Sequence, residues 1–201
     1  MYFGEGRDER IFPNVRSTAR FIWSVAALHA VVGVTALTLH GVLALGFSFN
    51  RAIFHALTIF MAAFDTGGCT PYSTSLAYYH SATFELTTAV LMVAGALSFG
   101  IHFALWHRRK GLMRDLEVRT ILITFSATLV LTMIGLAVAG QFEGGLALAR
   151  QGGFQLLSAH TGTGFTTVAT PELASWSGFA FVGMAVALAL GGGWADQRLG
   201  V

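Results

Sequence analysis

Two stretches decide how this chain folds: FHALTIFMAAFDTGGCTP at Phe54–Pro71 and GGFQLLSAHTGTGFTTVATPEL at Gly152–Leu173. Each carries a short apolar segment, about Ala52 to Phe64 in the first case and Leu146 to Ala159 in the second. Each segment runs directly into a glycine-rich tract, at residues 65–70 and 161–166. A helix of about 13 residues rises only ~20 Å, whereas the hydrocarbon core of a bilayer is ~30 Å thick. A segment of that length enters a membrane without leaving it, so both are predicted to be re-entrant helices.

Around them lie four longer apolar stretches, roughly Phe21 to Phe49, Phe84 to Trp106, Thr120 to Gln141 and Trp176 to Trp194, each near the ~20 residues a spanning helix needs. Glu85, at the lip of the second, is the sole charged side chain in these cores. The first stretch is too long in its apolar core to read as a cleaved leader, and Leu43–Phe49 offers no convincing small-residue cleavage site. The composition agrees: of 201 residues 54% are hydrophobic and 11% charged, against about a quarter charged in a soluble domain. Disorder is excluded by that hydrophobicity, and a disulfide scaffold by the single Cys69. A formal charge of +2, with the basic residues flanking apolar runs, gives no stripe for nucleic acid.

Ten of the twelve basic residues fall on one side of this arrangement: Arg7, Arg10, Arg16 and Arg20 before the first span, Arg108, Arg109, Lys110, Arg114 and Arg119 between the second and third, and Arg198 after the fourth. By the positive-inside rule both termini and the middle loop are expected to be cytoplasmic, with the short helices entering from the opposite face. Arg51 and Arg150 each open one of those short helices.

The order span, short helix, glycine tract, span thus occurs twice, 96 to 100 residues apart. Phe54-His55-Ala56-Leu57-Thr58 resembles Phe154-Gln155-Leu156-Leu157-Ser158, and Thr70-Pro71 matches Thr170-Pro171, where Glu172 suits a helix start. Non-helical backbone at membrane depth survives only inside protein or facing water. Carbonyls turned into a water-filled path can replace the hydration shell of a monovalent cation. The C-terminal ends of the short helices, each with about half a negative charge, also favour a cation there. Asp65 beside the first tract either concentrates cations at the mouth or hydrogen-bonds its own loop.

The second span, FELTTAVLMVAGALSFGIHFALW at Phe84–Trp106, and the end of the basic loop, RDLEVR at Arg114–Arg119, complete a pattern that, with the two tracts, resembles the Trk/Ktr/HKT potassium-transporter family, in particular its bacterial Trk-type membrane subunits. The similarity runs from about Pro13 to Gly193. It implies an all-α membrane protein of two tandem helix–pore loop–helix units at 21–106 and 120–195, matching the second and third of the family's four. Residues 1–20, 107–119 and 196–201 are then cytoplasmic segments. Carried over by motif, Thr66, Gly67, Gly68 and Cys69 form one filter strand and Gly162, Thr163, Gly164 and Phe165 the other. Cys69 replaces the family's more usual aromatic residue. Gly191, Gly192 and Gly193 mark a flexible intramembrane gate, or merely allow close helix packing.

The resemblance further implies potassium as substrate, no tightly bound cofactor and no metal beyond the permeating ion. It implies an inner-membrane location, a homodimer of the full transporter and a cytoplasmic nucleotide-binding regulatory partner. Two units cannot enclose an ion, so the chain is expected to be part of a longer transporter or to pair with a second copy. The rival reading is a haem-binding redox subunit using intramembrane His29, His40 and His102; it leaves the duplicated tracts unexplained. Ser158 and His160 lack the acid and nucleophile elbow of a hydrolase, Gly162–Gly164 lacks the third glycine of a dinucleotide loop, and no nucleotide-binding motif is present, so no enzyme is expected.

Overall fold

The computed structural model describes residues 15–108, 116–140, 144–168, 176 and 178–197. Most of the expected N-terminal segment, the centre of the basic loop, the helix start at Thr170-Pro171-Glu172 and the tail from 198 lie outside these residues. Every regular element described is helical: α1 (Val15–Leu43), α2 (Phe49–Phe64), α3 (Ala82–Ala96), α4 (Phe99–Trp106), α5 (Leu116–Val138), α6 (Gly145–Ala147), α7 (Gly153–His160) and α8 (Gly178–Gln197). A 3₁₀ turn at Ser75–Tyr79 precedes α3, and a π turn at Leu148–Gly152 joins α6 to α7.

Among the described residues α1 and the Val118–Val138 part of α5 are long and apolar enough to cross a membrane, and there is a third span if α3 and α4 count as one. The expected straight span from Phe84 to Trp106 is not formed, because α3 and α4 meet at a bend of 102°. Leu97 and Ser98 are extended, with ψ of 142° and 153°, and the Ser98 hydroxyl accepts a hydrogen bond from the Ile101 N–H, starting a new helix. A serine that caps locally outcompetes continuation of the apolar run. The bend turns α4 back onto α1, where Phe21 meets the rings of Phe103 and Trp106 edge-on.

α1 packs on α2, α3 on α2 and α7, and α5 on α8, with α7 wedged against both of the latter. The main core gathers Leu37, Ile59, Phe60, Tyr79, Phe84 and Met92 from the first half, and Phe154 and Phe165 of the second half enter it. A smaller cluster holds Leu136, Val168, Trp176 and Ala180. Small residues set the helix spacing: a Cβ on Gly95 would lie 2.7 Å from the Cα of Phe64, so α3 touches the end of α2 backbone to backbone. The opposite helix faces expose Trp23, Val31, Val32, Leu86, Val90, Ile123, Val130 and Ile134. Such a belt suits lipid, not water.

Candidate ion-filter site

The two glycine tracts begin as continuations of α2 and α7, and their backbones repeat at a constant offset of 96 residues. In the first, N–H groups of Asp65, Thr66, Gly67 and Gly68 donate to the carbonyls of Met61, Ala63, Ala62 and Ala62. In the second, Thr161, Gly162, Thr163 and Gly164 donate to Leu157, Ala159, Ser158 and Ser158. All four bonds correspond. The sign of φ repeats too: +56° at Thr66 and +65° at Gly68, against +72° at Gly162 and +82° at Gly164. Last-turn carbonyls that are orphaned in an ordinary helix are thus capped by the tract itself.

The tracts lie side by side. A Cβ on Gly68 would collide with the Thr163 carbonyl oxygen and stand 3.5 Å from the Gly164 carbonyl carbon. Glycine at 68 is therefore required both by its left-handed φ and by contact with its neighbour. Gly164, its counterpart 96 residues on, is exposed, and nothing lies within 4 Å of the same position. The side chains differ as well: Phe165 is buried, whereas Cys69 is exposed with its Sγ 3.7 Å from the Gly67 carbonyl oxygen. Thr161 and Thr163 pair through their hydroxyls at 2.8 Å.

Asp65 caps α2 and is exposed; its carboxylate takes no hydrogen bond among the described residues. The Gly191–Gly193 run lies inside α8, which continues through it to Gln197. His40 Nε2 bonds the Ser81 hydroxyl at 2.7 Å, and His29 and His102 each direct Nδ1 to the carbonyl four residues back. The rings of His29 and His102 meet edge to face at 5.2 Å, a contact that leaves no flat gap for a porphyrin, so the haem alternative has no support. Among the described residues no group of three or more His, Cys, Asp or Glu could hold a metal ion.

Three sets of partners go beyond what sequence reasoning finds. Arg51 donates to the phenols of Tyr72 and Tyr78, both at 2.7 Å, tying the loop after the first tract to the start of α2. Arg150 makes a bidentate pair with Glu85, two bonds of 2.8 Å that join the second half to the first. Ser75, Ala77 and Gln155 converge on Thr166, just past the second tract's phenylalanine. For the ion pair a signal existed, since two lone opposite charges beside apolar runs require partners. Neither tyrosines nor uncharged Ser and Gln carry a comparable pattern.

The family model for TrkH, described as a cation transport protein, matches residues 3–195. The chain belongs to the TrkH family. Among TrkH relatives, the Trk system potassium uptake protein TrkH of Halomonas elongata is 25% identical over 177 residues, which is 87% of this chain and 34% of that protein. The protein of the same name from Escherichia coli K12 is 28% identical over 176 residues, 86% of this chain and 34% of its own length. An uncharacterized cation transporter of Methanocaldococcus jannaschii is 28% identical over the whole chain and 37% of that protein. The chain spans about a third of the length of these curated relatives. The matching family is described as one of cation transport proteins, and potassium uptake is what the Halomonas and Escherichia relatives are named for.

Proposed function

We propose that the chain supplies two helix–tract–helix units of a pore that takes up potassium, with Thr66, Gly67, Gly68 and Cys69 as one filter strand and Gly162, Thr163, Gly164 and Phe165 as another. The observation that carries this reading is the backbone repeat, in which hydrogen bonds and signs of φ recur 96 residues apart in tracts that touch. Alternating left-handed residues turn successive peptide planes over, which lets carbonyls share one face instead of alternating as in a strand. A row of such oxygens substitutes for water around a potassium ion. The negative ends of α2 and α7 add to the attraction, and exposed Asp65 raises cation concentration at the mouth.

The open flank of Gly164 is where a further tract would sit, as Gly68 sits against Thr163. We infer that the partner there is another unit of a longer polypeptide, with a second copy as the alternative. Inward movement would be driven by the membrane potential, worth ~2.3 kcal/mol per charge per 100 mV, with no catalysis assigned to the chain. The Gly191–Gly193 run in α8 is offered as the gate. An inner-membrane location with cytoplasmic termini, a homodimer and a nucleotide-binding regulatory partner belong to the same reading.

Reconstitution into liposomes tests it. The polypeptide as its gene encodes it should accumulate a rubidium tracer when the interior is made negative, and Gly164→Ala should abolish uptake without changing the amount inserted. Uptake that persists in Gly164→Ala, or depth-dependent fluorescence quenching that puts the tracts outside the bilayer, overturns the assignment.

A further inference from the structure

The residue just beyond the second tract's phenylalanine is held by its whole polar surface. The Thr166 N–H donates to the Ser75 hydroxyl at 3.1 Å and its carbonyl accepts from the Ala77 N–H at 3.1 Å, both partners lying in the 3₁₀ turn of the first half. Its hydroxyl accepts from Gln155 Nε2 at 3.0 Å and donates to the Val168 carbonyl at 2.7 Å. Gln155 turns its other end to the same strand, where Oε1 accepts the Thr167 N–H at 3.3 Å. Gln155 is 5% exposed and Ser75 9%, so water offers these groups little alternative. Ser75 also takes a left-handed φ of +54°, a conformation a non-glycine residue adopts at a cost.

The consequence is a further attachment between the halves, at the tracts themselves, besides the Glu85–Arg150 pair and the shared core. At one end the tracts touch through Gly68 and Thr163. At the other end the second strand is bolted to the first half's turn by Ser75 and to its own short helix by Gln155. A strand fixed at both ends cannot slide along its neighbour, and sliding would alter the oxygen spacing that a dehydrated ion meets.

We propose that Gln155 and Ser75 are positioning residues that fix the register of the second tract against the first, and that discrimination of potassium from sodium depends on them; this rests on the pore reading above. Neither residue lies in the tracts, so neither is assigned contact with the ion.

The test compares rubidium and sodium tracer uptake by the reconstituted polypeptide, scaled to inserted protein. Gln155→Leu removes both of the side chain's bonds, and Ser75→Gly removes the hydroxyl while relieving the left-handed backbone. Each is expected to lower the rubidium-to-sodium ratio at least tenfold, chiefly by admitting sodium. Thr166→Val should do the same, and adding it to Gln155→Leu should lower the ratio by less than the two single effects combined, because both variants remove the shared Gln155–Thr166 bond. A merely structural role would reduce total flux and leave the ratio in place. If Gln155→Leu fails to accumulate, Ser75→Gly decides the matter. An unchanged ratio in a variant whose parent discriminates overturns this inference alone. A parent that carries neither ion, or carries both alike, overturns the pore reading and this inference with it.

Discussion

At Gly68 two demands coincide that the sequence separates elsewhere. Gly46 also has a left-handed φ, +66°, but nothing lies within 4 Å of its missing Cβ, whereas at Gly68 the Thr163 carbonyl occupies that space. Gly46→Ala should therefore cost only the dihedral, about 1–2 kcal/mol. Gly68→Ala adds a collision with backbone that cannot rotate away, and should cost about 3 kcal/mol or more. Unfolding of the purified protein in mixed detergent measures both, and equal costs would remove the contact between tracts. Cys69 gives a second prediction at this scale. As the chain's single thiol, exposed within the first tract, it should react with an impermeant maleimide from the face opposite the basic loop, and potassium should slow the reaction. Labelling indifferent to potassium counts against an ion path there. The glycines are legible in the sequence because only glycine adopts such φ without strain. Thr66 at +56° and Ser75 at +54° are not: their left-handed backbones are imposed by the helix end and by the Thr166 contact, which no neighbouring residue announces.

At the scale of elements, the broken span is the instructive case. Hydropathy is blind to direction, so Phe84–Trp106 reads as one helix although it turns through 102°. The clue is Ser98 within an apolar run, whose hydroxyl accepts the Ile101 N–H and whose carbonyl accepts those of Ile101 and His102 in the first turn of α4. By contrast, the first short helix is legible, its apolar run being observed as Phe49–Phe64, whereas the second, expected as one helix from Leu146 to Ala159, is divided into α6, a π turn and α7. The approach of Gly95 to Phe64 seats the last turn of α3, just ahead of the bend, on the end of α2. Gly95→Ala would place a methyl 2.7 Å from the Phe64 Cα, pushing α3 off the end of α2 and with it the start of the first tract. We expect a loss of about 2–3 kcal/mol in detergent unfolding, the range for overpacking. Gly100→Ala in α4 is the control, since its Cβ would come no nearer than 3.6 Å to the Ser98 hydroxyl oxygen. It should be neutral or slightly stabilising, because alanine is the better helix former. Similar losses in both variants would refute the close approach.

For the whole molecule the question is what holds the first and second halves of the chain in one relation, and the Glu85–Arg150 pair contributes an asymmetry that can be measured. Glu85 sits in the first turn of α3, its side chain 8% exposed, while Arg150 comes from the π turn ahead of α7 and is 43% exposed. Both residues stand out in the sequence, but their union does not. Each reads as a lone charge beside an apolar run, and pairing across halves depends on a packing of α3 against α7 that no local pattern encodes. Because Arg150 reaches solvent, its attraction for Glu85 is screened, and the intact pair contributes less than its bidentate geometry suggests. The cost of breaking it depends on which partner remains. Arg150→Gln leaves a buried carboxylate without its cation and should destabilise by about 2–3 kcal/mol. Glu85→Gln leaves an arginine that can turn to water, and should cost about 1 kcal/mol. With both replaced, stability should recover part of the Arg150→Gln loss, because no unpaired charge remains. A double-mutant cycle by detergent unfolding reads these values directly. Equal single losses, or losses that simply add, would mean that this pair does not couple the halves, leaving that to the contacts at Gly68 and Thr166 and to Phe154 and Phe165 in the shared core.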